Sequence, residues 1–198
     1  VGEKGAANLD LVANGQPGHS SVPHDDNAVF HLAKVLARMA GKKMPHRPPA
    51  SVRAFFARAA QAQDDVQVAE DLRALLDAEM CDAALARLPV NSATRRMFDA
   101  MLRNTCAPTM VEAGLKRNVI PSRATAQLSG RPLPGVGESE FVAEVEMMAG
   151  KGVVYAMGDF RSGVEFAHDT PLFSALEGAL RRFEPQGVAV PYMQTGGT

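Results

Sequence analysis

The sequence runs to 198 residues, 46% of them hydrophobic and 22% charged, with a formal net charge of −1. That suits one globular domain of ordinary size, or one domain with a piece of another, and it argues against a polyanion partner, since no Lys/Arg run is interleaved with aromatics. No apolar run approaches the roughly 20 residues that span a bilayer, and Cys81 and Cys106 form no CxxC pair, so neither a membrane span nor a disulfide framework is expected.

In chain order, the alternation in Leu9-Asp10-Leu11-Val12-Ala13-Asn14 reads as a half-buried strand. Gly18-His19-Ser20-Ser21-Val22-Pro23 follows as a loop that displays one imidazole between that strand and a helix from about Asp25 to Ala40. In the helix, Val29, Leu32, Ala33, Leu36, Met39 and Ala40 face the core, and Gly41 serves as a left-handed cap. Lys42 to Pro49 is basic and proline-rich, a surface connection. Residues 50–103 read as three or four short helices whose Phe and Met stripes are core packing. Thr105 to Val111 is a strand with an internal Pro108, which confines it to a sheet edge or bulge. It forms a hairpin with Arg123 to Leu128 through a long loop containing Gly114 and Pro121. A helix from Glu138 to Met148 and a strand from Val153 to Met157 complete the series.

With about residues 45–103 set aside as a helical insertion, the order is strand, helix, strand, strand, helix, strand. That is the α+β, ferredoxin-like βαββαβ sandwich: a four-stranded antiparallel sheet with two helices on one face. Residues 1–165 carry it. Residues 166–198 are surplus: Thr170-Pro171 caps a helix with an apolar face from Leu172 to Phe183, and Val188 to Tyr192 reads as a short strand. Both ends look cut from a longer protein, the tail being the start of a neighbouring domain.

Several residues invite chemistry. A lone loop histidine such as His19 is functional, structural or merely exposed. His24-Asp25-Asp26 contains an H-x-D spacing, but the aspartates are better explained as complementing a helix dipole, and no metal site is expected. His168-Asp169 precedes the Thr170 cap, and nothing singles out His31 or His46. Asn118 and Arg131 are expected at one end of the same hairpin, where an amide and a guanidinium either hold a carboxylate or are a turn Asn and a surface Arg. Gly196, Gly197 and Thr198 offer backbone N–H groups and a hydroxyl suited to an anion.

In combination, Gly18-His19-Ser20-Ser21, Asn118-Val119-Ile120-Pro121, Arg131-Pro132-Leu133-Pro134-Gly135 and Met193-Gln194-Thr195-Gly196-Gly197-Thr198 resemble the co-catalytic zinc peptidase and amidohydrolase family. That family includes carboxypeptidase G, aminoacylase, acetylornithine deacetylase and carboxypeptidase S. The resemblance implies that residues 1–165 are a lid through which subunits form a homodimer, and residues 166–198 a fragment of a catalytic domain that carries two zinc ions, or another divalent metal. It implies that His19 reaches the partner's active site and stabilises the tetrahedral intermediate. Asn118 and Arg131 would bind the substrate's carbonyl and carboxylate, with Gly196, Gly197 and Thr198 as a substrate-contacting loop. The parent would cleave an amide next to a free carboxylate, in a peptide or N-acyl amino acid. This fragment, lacking metal ligands, would hydrolyse nothing alone and bind neither nucleic acid nor membrane. The insertion resembles the enlarged lid of the carboxypeptidase S branch. A cytoplasmic location is expected. The rival reading is a stand-alone ferredoxin-like oligomerisation or ligand-binding module.

Overall fold

Alternating apolar and polar side chains build the central sheet. In the computed structural model, which describes residues 1–196, the strands β2 (Ala6–Asn14), β4 (Thr105–Ala113), β6 (Arg123–Arg131) and β7 (Val154–Arg161) lie in the order β4-β6-β2-β7, every neighbour antiparallel. Ala7, Leu9, Leu11 and Ala13 of β2 and Ala124, Ala126 and Leu128 of β6 point to one face. Two helices, α1 (Ala28–Met39) and α6 (Glu138–Ala149), cover that face with Leu32, Val35, Phe141 and Val145 in one shared core. This is the expected sandwich. Pro108 sits where the β4–β6 register slips, on the sheet edge, so the missing N–H falls at a bulge.

The first helix starts later than its acidic residues suggest. Asn27 caps it, its Oδ1 accepting from the Val29 N–H at 2.9 Å. Asp25 and Asp26 form the turn before it, where the Asp26 carbonyl accepts from the Gln16 N–H. Gly41, at φ +75°, closes the other end in the left-handed region.

Four helices make the insertion: α2 (Ala50–Gln61), α3 (Val66–Ala74), α4 (Cys81–Arg87) and α5 (Ser92–Leu102). They enclose a second core in which the Phe56 and Phe98 rings meet edge to face with centroids 5.2 Å apart. Lys4 pins this unit to the sandwich. Its ammonium donates to the carbonyls of Ala100 and Arg103 and to Thr105 Oγ1, at 2.9–3.1 Å.

The two ends of the chain meet beside that pin. Strand β1 (Gly2–Glu3) pairs in parallel with β9 (Met193–Gln194) and antiparallel with β8 (Val164–Glu165). The expected strand over Val188 to Tyr192 does not form. Pro191 lacks a donor there, and the pairing begins at Met193 instead, whose fully buried side chain fills the insertion's core. The tail helix α7 (Pro171–Phe183) is capped by Thr170 as expected, but none of its residues is buried, and Leu172, Leu176, Leu180 and Phe183 stay exposed. Among the described residues no helix is long and apolar enough to cross a membrane.

Candidate functional site

His19 does not sit on a plain loop. It belongs to a two-residue strand, β3 (Gly18–His19), paired with β5 (Val119–Ile120), with His19 opposite Val119. One step further the Ser20 N–H donates to the Asn118 carbonyl at 3.1 Å. Two of the candidates, His19 and Asn118, are therefore fastened together at one tip of the sheet. Gly18 packs closely on His24: a Cβ there would stand 2.9 Å from His24 Nε2, so that ring would have to shift.

The His19 ring is exposed and held from one side. Its Nδ1 accepts the Ser21 backbone N–H at 3.2 Å, so in the neutral ring that nitrogen carries no proton. The Ser21 hydroxyl, 2.7 Å away, is then a second donor to it. The proton is left on Nε2, which makes that atom a hydrogen-bond donor available to a ligand. Beside this tip Pro17, Leu115, Val119, Ile120 and Pro121 line a mostly apolar cleft of about 460 Å³.

Arg131 lies elsewhere. It ends β6, whose other end, Arg123, is the one next to the Asn118 turn. Nine extended residues set the two ends about 27 Å apart. The expectation that Asn118 and Arg131 share one end of the hairpin is thereby overturned. Arg131 instead lines a cleft of about 600 Å³ with Glu3, Lys4, Gly5, Arg161, Ser162 and Val164. Gly196 approaches it there: a Cβ on Gly196 would lie 4.0 Å from Arg131 Nε. Gly197 and Thr198 lie outside the described residues. Lys4 in this cleft is buried, and burial together with the nearby Arg131 charge lowers its pKa to about 7, against a smaller opposing pull from Asp99.

Sequence reasoning missed Lys4 and Arg161. The strand expected over Val153 to Met157 runs on to Arg161, four residues further, which sets Arg161 at the end of β7 beside Ala6.

Among the described residues no three His, Cys, Asp or Glu side chains converge as a metal site would require. Cys81 and Cys106 are unpaired, and burial pushes the Cys106 thiol up to about 12. Two other histidines are bound into the framework: His31 Nδ1 meets the Asn14 carbonyl at 2.9 Å and His46 Nε2 the Leu75 carbonyl at 2.8 Å. His24 lies under Gly18, with both ring nitrogens buried and without a hydrogen-bond partner.

A family profile described as the M20 peptidase dimerisation domain matches residues 1–154. The chain is 30% identical over 135 residues to a Xenopus tropicalis N-fatty-acyl-amino acid synthase/hydrolase, PM20D1, covering 67% of this chain and 25% of that protein. It is 27% identical over 150 residues to a probable carboxypeptidase S-like protein of Dictyostelium discoideum, covering 73% and 26%. The chain thus spans about a quarter of the length of these curated relatives. Among solved structures it resembles in fold an M20 family metallo-carboxypeptidase from Sulfolobus solfataricus, with a TM-score of 0.58 and 18% identity, over 100% of this chain and 53% of that one. It also resembles the dipeptidase Dug1p of Saccharomyces cerevisiae, with a TM-score of 0.53 and 11% identity, over 100% and 44%.

Proposed function

Because the chain belongs to the M20 peptidase dimerisation domains, we propose that it is the lid and homodimerisation unit of a zinc-dependent hydrolase that cleaves an amide next to a free carboxylate. The substrate class is an N-acyl amino acid or a short peptide. Support comes from relatives whose names specify N-fatty-acyl-amino acids and a carboxypeptidase. The metal ligands would belong to the parent enzyme outside these residues, and the roles assigned below need none of them.

His19 acts through Nε2–H, donating to the carbonyl oxygen as negative charge develops on it. A donor aimed at that oxygen favours the transition state over the ground state. Asn118, pinned beside His19, holds the same carbonyl group, and Arg131 takes the substrate's carboxylate as a bidentate partner. Gly196 stands on the Arg131 side, and a substrate-contacting role falls to it together with Gly197 and Thr198. A substrate of dipeptide size cannot bridge about 27 Å. His19 and Asn118 of one protomer therefore complete the site served by the partner protomer's Arg131 cleft.

Subunits meet through the exposed lid elements. The outer side of β4 is unpaired and carries exposed Met110 and Val111. Residues 166–198 belong to the catalytic domain, on which the apolar face of α7 would seat; that face also weighs against a stand-alone module. The unpaired thiols support a cytoplasmic location.

The observation that carries this reading is the exposed His19 ring, held through Nδ1 and fastened to Asn118 far from Arg131. The test is His19→Ala in the full-length enzyme. Turnover is expected to fall about 100-fold or more with KM little changed. Unchanged turnover removes His19 from the mechanism.

A further inference from the structure

The sheet register sets two arginines on either side of one alanine. Arg161 of β7 pairs with Ala6 of β2. On the other flank Gly130 pairs with Ala7, so Arg131 is the next rung, opposite Ala6. Cross-strand partners share a face, and Ala7 points into the core, so Ala6, Arg131 and Arg161 all belong to the face away from the helices. Two strand spacings put the arginine Cα atoms about 10 Å apart. Only a methyl group stands between them.

Both arginines line the cleft of about 600 Å³ beside the paired strands β1, β8 and β9. Among the described residues neither guanidinium has a hydrogen-bond or ion-pair partner. The same cleft holds Lys4 and a single carboxylate, Glu3. Lys4 has committed its side-chain nitrogen to two carbonyls and a hydroxyl, so it offers no free donor, and the positive excess comes from the two arginines against Glu3. The cleft thus has an excess of positive charge and two unused, fork-shaped donor sets, which suits carboxylates rather than a compact cation or a neutral group.

We propose that Arg161 is a second anion-binding arm beside Arg131, and that the cleft selects substrates whose terminal residue is acidic, with two carboxylates. This rests on the reading that Arg131 holds the substrate's α-carboxylate. Arg161 takes the side-chain carboxylate of an Asp or Glu residue. Its two acid groups lie a few ångströms apart, within reach of two long side chains leaning toward each other over Ala6. A substrate with an apolar side chain leaves Arg161 hydrated and forgoes one charge-assisted pair.

The test uses the full-length enzyme with N-acetyl-L-glutamate and N-acetyl-L-leucine. Arg161→Gln is expected to lower the ratio of kcat/KM for the glutamate over the leucine substrate by about 10- to 100-fold, with Arg161→Lys intermediate. An unchanged ratio overturns the proposal, as it would if Arg161 only fastened the lid to its neighbour. Arg131→Gln separates the two claims: if it leaves the leucine substrate unaffected, the α-carboxylate reading fails whatever Arg161 does. Calorimetry with glutarate against butyrate tests the second arm without turnover. Glutarate is expected to bind more tightly in the unmodified enzyme and to lose that advantage in Arg161→Gln. Equal binding of the two acids by the unmodified enzyme counts against the second arm.

Discussion

Two donors from Ser21 converge on Nδ1 of His19, and removing one of them should be felt at the other nitrogen of the ring. Ser21→Ala in the full-length enzyme keeps the backbone N–H and loses the hydroxyl. Turnover is expected to drop by about tenfold or less, the worth of one neutral hydrogen bond, and Ser21→Thr to restore it, as read from kcat at saturating substrate. Lys4 predicts a pH effect of definite sign. Its pKa is about 7 in the folded chain against 10.5 for an ordinary lysine, so between those values the unfolded chain binds the extra proton and stability rises with pH. From pH 7 to pH 9 the gain is about 2 kcal/mol by urea denaturation, and Lys4→Met should abolish it. Above about pH 9 the half-buried Cys106 thiol, whose pKa is raised, pulls the other way. His19 was legible from its place between an alternating strand and an amphipathic helix. Its bond to Ser21 was not, because a contact between residues two apart depends on a local turn rather than a repeating pattern.

The elements that the sequence revealed are those long enough to show a period. Nine residues of β2 and twelve of α1 repeat their apolar positions several times, whereas β1, β3, β5, β8 and β9 have two residues each and no period to detect. Yet β3 and β5 fasten His19 to Asn118, and β1 and β9 join the chain ends. The misplaced partner of Asn118 has a similar origin: thirteen residues separate it from Arg131, and nine of those positions are the straight strand β6. The separate core of the insertion leads to another expectation. Phe56→Ala removes a fully buried ring and should cost about 3 to 5 kcal/mol. Hydrogen exchange should show protection lost in α2, α3 and α5 and retained in β2 and β6, whose core contains none of the insertion's residues. Equal loss in both would mean that the two cores unfold as one.

At the scale of the assembly, the distance between the His19 tip and the Arg131 cleft yields a mixing experiment. His19→Ala and Arg131→Ala proteins, each impaired alone, should recover about a quarter of the unmodified activity after random re-pairing of subunits, since one site in each mixed dimer is intact. No recovery would place both residues in one protomer's site. The sandwich topology was readable because the insertion interrupts it between complete elements, leaving the order of strands and helices undisturbed. The side-by-side course of β1 and β9 could not be read, since it joins residues at opposite ends of the chain. That course ties the helical insertion to both strands at once. The Gly2 N–H donates to the Tyr192 carbonyl and the Lys4 N–H to the Gln194 carbonyl, so β1 and β9 run the same way one strand spacing, about 5 Å, apart. Trimming β1 would leave β9 without its ladder and Met193 without its anchorage in the insertion's core, so the helical unit would loosen through residues it never touches in sequence.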